Sequence, residues 1–313
     1  MKKNVTIGIL LLTLCCVTAC NTGRLWGVAP LTPEQERLSR INSIDSLTLR
    51  SVLDLDSIEG CDKVKSISAE AWMLIDDSTG FVISQQYANE PAFMASLTKM
   101  MTCLLALENG NMTDTVKITE DVFVARDSRV RLGDGYVMSH LIDEMMLVSD
   151  NDAAYALAKH IAGDTLKFCD MMNEKAAYLG MTNTHFANPN GMPNLQNYSS
   201  ACDLVRLARY CMGDSTFAQI VGTKEKDIPL TDGRHMPCQN TNALLSTYEG
   251  CIGIKTGFTR QAGNCLASAA TRDGVTLYLI LLNSRSMSSR FKESAILLDY
   301  GFNVMKAYKN QHR

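Results

Sequence analysis

Ser68–Ile75 and Phe81–Gln85 are apolar, β-prone runs, and the turn-rich Asp76-Asp77-Ser78-Thr79-Gly80 between them predicts a hairpin. Near the other end of the chain, Gly250–Thr259, Gly263–Thr271 and Val275–Asn283 read as three more strands. Asp273-Gly274 supplies the hairpin turn between the last two. The stretches in between repeat their apolar positions with a helical period: Ser96–Glu108, Ser139–Met146, Asp152–Ile161, Thr165–Leu179 and Ala201–Met212. A final helix is expected over about Ser289–Tyr300. Strands at both ends with helices between them predict an α+β fold, in which one antiparallel sheet built from both chain ends packs with a helical cluster. No internal repeat or low-complexity tract interrupts this pattern.

The first 62 residues read differently. Lys2 and Lys3 precede an uncharged apolar run from Val5 to Val17, which is too short for a bilayer span of about 20 residues and reads as a signal-peptide core. Val17-Thr18-Ala19-Cys20 resembles a bacterial lipobox, with small residues before a cysteine that becomes lipidated. An ordinary secretory signal cut near a cysteine is the alternative. The lipobox is preferred because small residues fill both positions before Cys20 and no stop-transfer run follows. The predicted organisation is a signal over 1–19, a lipidated Cys20 and tether over 20–62, a catalytic domain over 63–308 and a tail over 309–313. Thr32-Pro33-Glu34-Gln35 carries the signals of a short helix within the tether. The expected location is extracytoplasmic, on a membrane held by the N-terminal lipid, since several acyl chains anchor stably where one does not.

Composition narrows the class. Hydrophobic residues make up 46% and charged residues 20%, which is globular, and the net charge of −3 offers nothing to a nucleic acid. Of eleven cysteines, Cys15 and Cys16 leave with the signal and Cys20 is the lipid site. The other eight form no C-x-x-C pair and no metal spacing; disulfides and buried free thiols both stay open. His140, His160, His185, His235 and His312 show no metal spacing either, so no metal and no cofactor are expected.

Three short motifs carry the chemistry: Ser96-Leu97-Thr98-Lys99, Ser149-Asp150-Asn151 and Lys255-Thr256-Gly257. Each alone is common, and Ser289-Arg290-Phe291-Lys292 repeats the first spacing in a charged segment with no evident use. In this order they form the known signature of class A β-lactamases and penicillin-binding proteins. Ser96 opens a helical pattern, so Lys99 lies one turn along the same face and its amine reaches the serine hydroxyl. A serine needs an adjacent base to become a nucleophile, and a lysine serves as one only when desolvation or a neighbouring cation lowers its pKa. Lys255 is the expected neighbour. Ser149 lies in a loop between helices, placed to relay a proton to a leaving amine, and the Asn151 amide is placed to hold a substrate peptide bond. Lys255 and Thr256 suit a carboxylate, while Gly257 lets substrate approach the strand edge. The backbone N–H of Phe258 would pair with that of Ser96 as an oxyanion hole.

The chain resembles the low-molecular-mass D-alanyl-D-alanine carboxypeptidases, serine-type penicillin-binding proteins related to class A β-lactamases. Pro91–Thr102, Val148–Gly163, Ala177–Met192, Gly253–Leu266 and Leu297–Phe302 carry the resemblance, which covers roughly residues 66–303. It implies a β-lactamase/transpeptidase-like fold and removal of the terminal D-alanine from peptidoglycan stem peptides through an acyl-enzyme on Ser96. It also implies inhibition by β-lactam antibiotics. Three departures stand out. Asp150 replaces a usual small residue, Asn197 stands where many relatives have a histidine, and the chain stops soon after Phe302, without the second β-rich domain and amphipathic helix of many members. A β-lactamase would need a carboxylate in an E-x-x-L-N stretch, and Glu174-Lys175-Ala176-Ala177 does not fit it. A DD-endopeptidase acting on cross-links and a non-catalytic peptidoglycan-binding lipoprotein are the remaining alternatives.

Overall fold

The computed structural model describes residues 49–53, 64, 67–123 and 128–312. The chain divides into two units, 1–41 and 42–313; the first lies wholly outside the described residues, and with it Cys20 and the signal run. Cys61 lies outside them too.

The sheet is six-stranded. Strands β1 (Arg50–Val52), β2 (Ala71–Asp76) and β3 (Phe81–Gln86) come from the N-terminal side. After the intervening helices come β8 (Cys251–Thr259), β9 (Gly263–Arg272) and β10 (Val275–Ser284). Their order is β1-β3-β2-β10-β9-β8, so β2 and β10 join the two chain ends in the middle. All pairings are antiparallel except β1 with β3, which is parallel. Arg50–Val52 falls within the stretch read as a tether; three residues are too few to show a period in sequence.

Both sheet faces are covered, which is why β2 and β10 read as continuous apolar runs rather than alternating ones. Successive side chains point to opposite faces. Met73, Ile75, Tyr278 and Ile280 join the core beneath the helical cluster. Trp72, Leu74, Leu277, Leu279 and Leu281 pack instead against Leu297, Leu298, Val304 and Met305 of the C-terminal helix. That helix runs over Met287–Gln311, well past the predicted end at Tyr300. Gly301 reads as a stop in sequence, yet it lets the helix pass close to the sheet: a Cβ there would sit 2.8 Å from Leu277 Cδ1 and 3.0 Å from Leu74 Cδ2.

The cluster comprises α1 (Lys99–Asn109), α2 (Met138–Leu147), α3 (Asn151–Ala162), α4 (Thr165–Tyr178) and α5 (Ala201–Met212), each within a few residues of its predicted bounds. Asp150, Asp164 and Ser200 cap the last three by accepting from backbone N–H groups of the first turn. Several elements have no counterpart in the sequence reading. Two ribbons, β4 (Thr115–Lys117) with β5 (Gly135–Val137) and β6 (Glu225–Pro229) with β7 (His235–Gln239), go unannounced: the strands of the first are three residues long, too few to show a period, and those of the second are largely exposed. Helix α6 (Ser215–Gly222) and the single turn α7 (Leu244–Thr247) complete the set before the C-terminal helix α8 (Met287–Gln311). Seven cysteines among the described residues are free thiols, six of them buried.

Candidate active site

Strand β8 ends the sheet, and only part of its open edge is accessible. Its first half is covered by α6, where a Cβ on Gly253 would meet Val221 Cγ2 at 2.8 Å. The second half faces the segment that carries Ser96. That segment is a 3-10 turn over Ala95–Thr98, not the first turn of the helix, and α1 begins at Lys99. Ala95 takes φ +48°, a left-handed value that costs a non-glycine residue about 1 kcal/mol or more and turns the chain sharply just before Ser96. A Cβ on Gly257 would lie 3.0 Å from Ser96 N and 3.1 Å from Met94 O, so strand and turn pack together only because position 257 has no side chain.

Lys99 is fully buried at the floor of this contact. Its Nζ donates to Ser96 Oγ at 3.0 Å, to Asn151 Oδ1 at 2.9 Å and to the backbone carbonyl of Asn190 at 2.8 Å. The amide oxygen and the carbonyl can only accept. Ser96 alone can reverse the bond and donate its proton to a neutral amine. Ser96, Ser149 and Asn151 are half-buried. Ser149 takes φ +67° in the one-turn gap between α2 and α3, and Asn151 is the first residue of α3.

Asp150 points the other way. Buried, it accepts from Ser128 Oγ at 3.0 Å, Arg129 N at 2.6 Å, Val130 N at 3.2 Å and Ala153 N at 3.0 Å. This departure from the family pattern is a clamp that ties the Ser149 loop to the 128–130 segment. Arg129 extends the tie to the second ribbon, donating to Pro237 O at 2.7 Å. Asn197, the second departure, is also structural: it accepts from Ala187 N at 3.1 Å and donates at 3.2 Å to Thr98 Oγ1, in the turn that carries Ser96.

Lys255 is buried on β8 and donates to Thr256 O at 3.3 Å. Burial first, then the Lys99 and Arg290 charges, hold it well below the ordinary lysine value. Thr256 Oγ1 lies 2.6 Å from Thr241 Oγ1, and Phe258 is exposed at the rim. Of the eight predicted site positions, Ser96, Lys99 and Asn151 are hydrogen-bonded, Gly257 packs on Ser96 and Lys255 feels the Lys99 charge; Ser149, Thr256 and Phe258 adjoin these in the chain, and four further residues join them. Arg290 of α8, in the segment that seemed a spare Ser-x-x-Lys, donates to Gly257 O at 3.1 Å from behind the strand. Asn190, Gly191 and Thr241 come from loops; the Asn190 carbonyl belongs to the Ala177–Met192 resemblance, which was the only available signal. No group of His, Cys, Asp and Glu among the described residues is arranged to hold a metal.

A serine and lysine at the foot of a helix, opening onto a sheet edge, place the molecule among the active-serine enzymes of the β-lactamase/transpeptidase fold. The chain belongs to the D-alanyl-D-alanine carboxypeptidase family, whose sequence profile matches residues 59–286. It is 31% identical over 247 residues to a Bacillus subtilis D-alanyl-D-alanine carboxypeptidase, covering 77% of this chain and 64% of that one. It is 34% identical over 256 residues to the Streptomyces sp. (strain K15) D-alanyl-D-alanine carboxypeptidase, covering 76% and 88%. The crystal structure of the Streptomyces K15 DD-transpeptidase superposes with a TM-score of 0.74 at 32% identity, over 77% of this chain and 100% of that one. The chain therefore spans a little under two thirds of the Bacillus relative and most of the Streptomyces one.

Proposed function

We propose that this protein is a serine D-alanyl-D-alanine carboxypeptidase acting on peptidoglycan stem peptides. The observation that carries the reading is the Lys99 amine, buried, held by Asn151 and Asn190 and within hydrogen-bond distance of Ser96 Oγ. Ser96 Oγ attacks the carbonyl of the penultimate D-alanine while its proton passes to Lys99 Nζ. The backbone N–H groups of Ser96 and Phe258 receive the developing oxyanion. Ser149 hands its proton to the amine of the departing D-alanine and takes in exchange the one that Lys99 received, so the first half-reaction ends with Ser149 a hydroxyl and Lys99 a neutral amine again. Asn151 aligns the acyl part of the peptide, and Lys255 and Thr256 hold the terminal carboxylate beside Gly257. Water then takes the acyl group from Ser96. An amine in place of water would make a cross-link instead, as the name of the Streptomyces transpeptidase says of that protein.

The test compares D-alanine release from a diacyl-Lys-D-Ala-D-Ala peptide by the wild type and by Ser96→Ala. Release is expected from the wild type and falls to background in the variant. Equal release by both would remove Ser96 from the mechanism. No release by either, with penicillin still labelling the wild type, would turn the reading towards cross-linked substrates.

Anchoring rests on the lipobox-like Val17-Thr18-Ala19-Cys20, since no helix among the described residues is long and apolar enough to cross a membrane. The mature protein is held outside the cytoplasm by lipid on Cys20, and Cys20→Ser moves it from the membrane pellet to the soluble fraction. A variant that still sediments with membranes refutes the anchor.

A further inference from the structure

Thr241 lies outside the three motifs, between β7 and α7. Its backbone N–H donates to Leu147 O at 3.0 Å, two residues before Ser149, and its hydroxyl lies 2.6 Å from that of Thr256. One residue thus bridges the loop of the second motif and the strand of the third. The segment around it is pinned: Asn240 N donates to Lys224 O at 2.8 Å, Asn240 Nδ2 to Thr223 O at 2.9 Å, and Asn242 N to Asn240 Oδ1 at 2.9 Å. Thr256 is buried, whereas Thr241 is exposed, so its hydroxyl stands at the mouth above that of Thr256.

Two hydroxyls in contact share one hydrogen bond, and one proton of the pair is left without a use inside it. An arriving carboxylate accepts both protons and replaces one neutral bond with two charge-assisted ones. Lys255 Nζ, which donates to Thr256 O, brings a charge to the same place, and the two hydroxyls add directed neutral donors. Phe258, further along the strand, brings no polar side chain. We propose that Thr241 and Thr256 form a two-hydroxyl fork for the terminal carboxylate of the substrate, making Thr241 a specificity residue for peptides that end in a free carboxylate. The inference rests on the carboxypeptidase reading given above.

The experiment compares wild type, Thr241→Val and Thr241→Ser on two acyl donors: diacyl-Lys-D-Ala-D-Ala, and an alkyl thioester of diacyl-Lys-D-Ala that carries no carboxylate. In Thr241→Val, KM for the peptide is expected to rise about tenfold, with kcat changing less, and the peptide-to-thioester ratio of kcat/KM to fall by the same factor. Thr241→Ser keeps the hydroxyl and restores the ratio. Equal losses on both donors would make Thr241 a structural residue only, and an unchanged ratio would likewise overturn the fork. Failure of the wild type on both donors would count against the carboxypeptidase reading itself. Acylation by penicillin against its methyl ester would then decide Thr241 separately, since the fork requires Thr241→Val to narrow that difference about tenfold.

Discussion

Lys99→Ala is expected to abolish acylation of Ser96 while leaving the fold intact. The rate of labelling by a fluorescent penicillin should fall about 10³- to 10⁴-fold, the usual worth of a positioned general base. The fold should survive because the substitution also removes one of the two lysines buried among the described residues, and Lys255 is already held down partly by the Lys99 charge. The acceptors left behind are two, Asn151 Oδ1 and Asn190 O, and Asn151 is only half-buried. Lys99→Arg sharpens the experiment: a guanidinium keeps the cation in place but does not accept a proton at accessible pH. If Lys99 is the base, arginine is as inactive as alanine. If it served only as a fixed charge, arginine would retain much of the rate, and wild-type labelling of either variant would refute the assignment. The same preparations report on turnover. With Glu174 on an exposed position of α4, a chromogenic cephalosporin should give the wild type one burst followed by slow hydrolysis, not the sustained hydrolysis of a β-lactamase.

Much of this site is visible in sequence because each motif is a short string whose members act locally. Ser96 and Lys99 are three residues apart, and their contact follows from one helical turn. The strands of the sheet's centre are legible for a related reason: burial on both faces leaves long apolar runs in β2 and β10. What sequence hides is contact at a distance. The carbonyl that fixes Lys99 comes from 91 residues away, and a backbone oxygen has no residue type to betray it. Thr241 meets Thr256 from the loop that follows a ribbon whose exposed residues, such as Glu225 and His235, look like loop. Arg290 sits in a segment that copies the first motif's spacing, and only its hydrogen bond from α8 to Gly257 O on β8 separates its use from that motif's. The 3-10 turn was missed because Ala95, at φ +48°, occupies a conformation that sequence assigns to glycine or asparagine.

Gly191→Ala should be the most damaging substitution that touches no proposed catalytic group. Gly191 has φ +85°, and a Cβ there would lie 2.0 Å from Ala95 O, 2.4 Å from Ala95 C and 2.9 Å from Ser96 N. None of these atoms is the end of a flexible side chain; all belong to the backbone of the turn that presents Ser96. Relief therefore requires the turn to move away from β8, or the 188–192 loop to move away from the turn. In the second case the adjacent Asn190 carbonyl withdraws from Lys99, so either route disturbs the pair. A displacement near 1 Å at a reacting group costs about 10²-fold, so penicillin labelling should slow by at least about that factor. Stability should fall as well, since left-handed alanine alone costs about 1 kcal/mol. Gly180→Ala separates the two effects: Gly180 has φ +69° with nothing within 4 Å of its would-be Cβ, so it carries the backbone cost without the collision. The expected result is a similar loss of stability from the backbone term in both variants, with a further loss and the slow labelling confined to Gly191→Ala. Labelling of Gly191→Ala at the rate of Gly180→Ala would mean that the turn absorbs the collision, and that contact with the 188–192 loop does not set the position of Ser96.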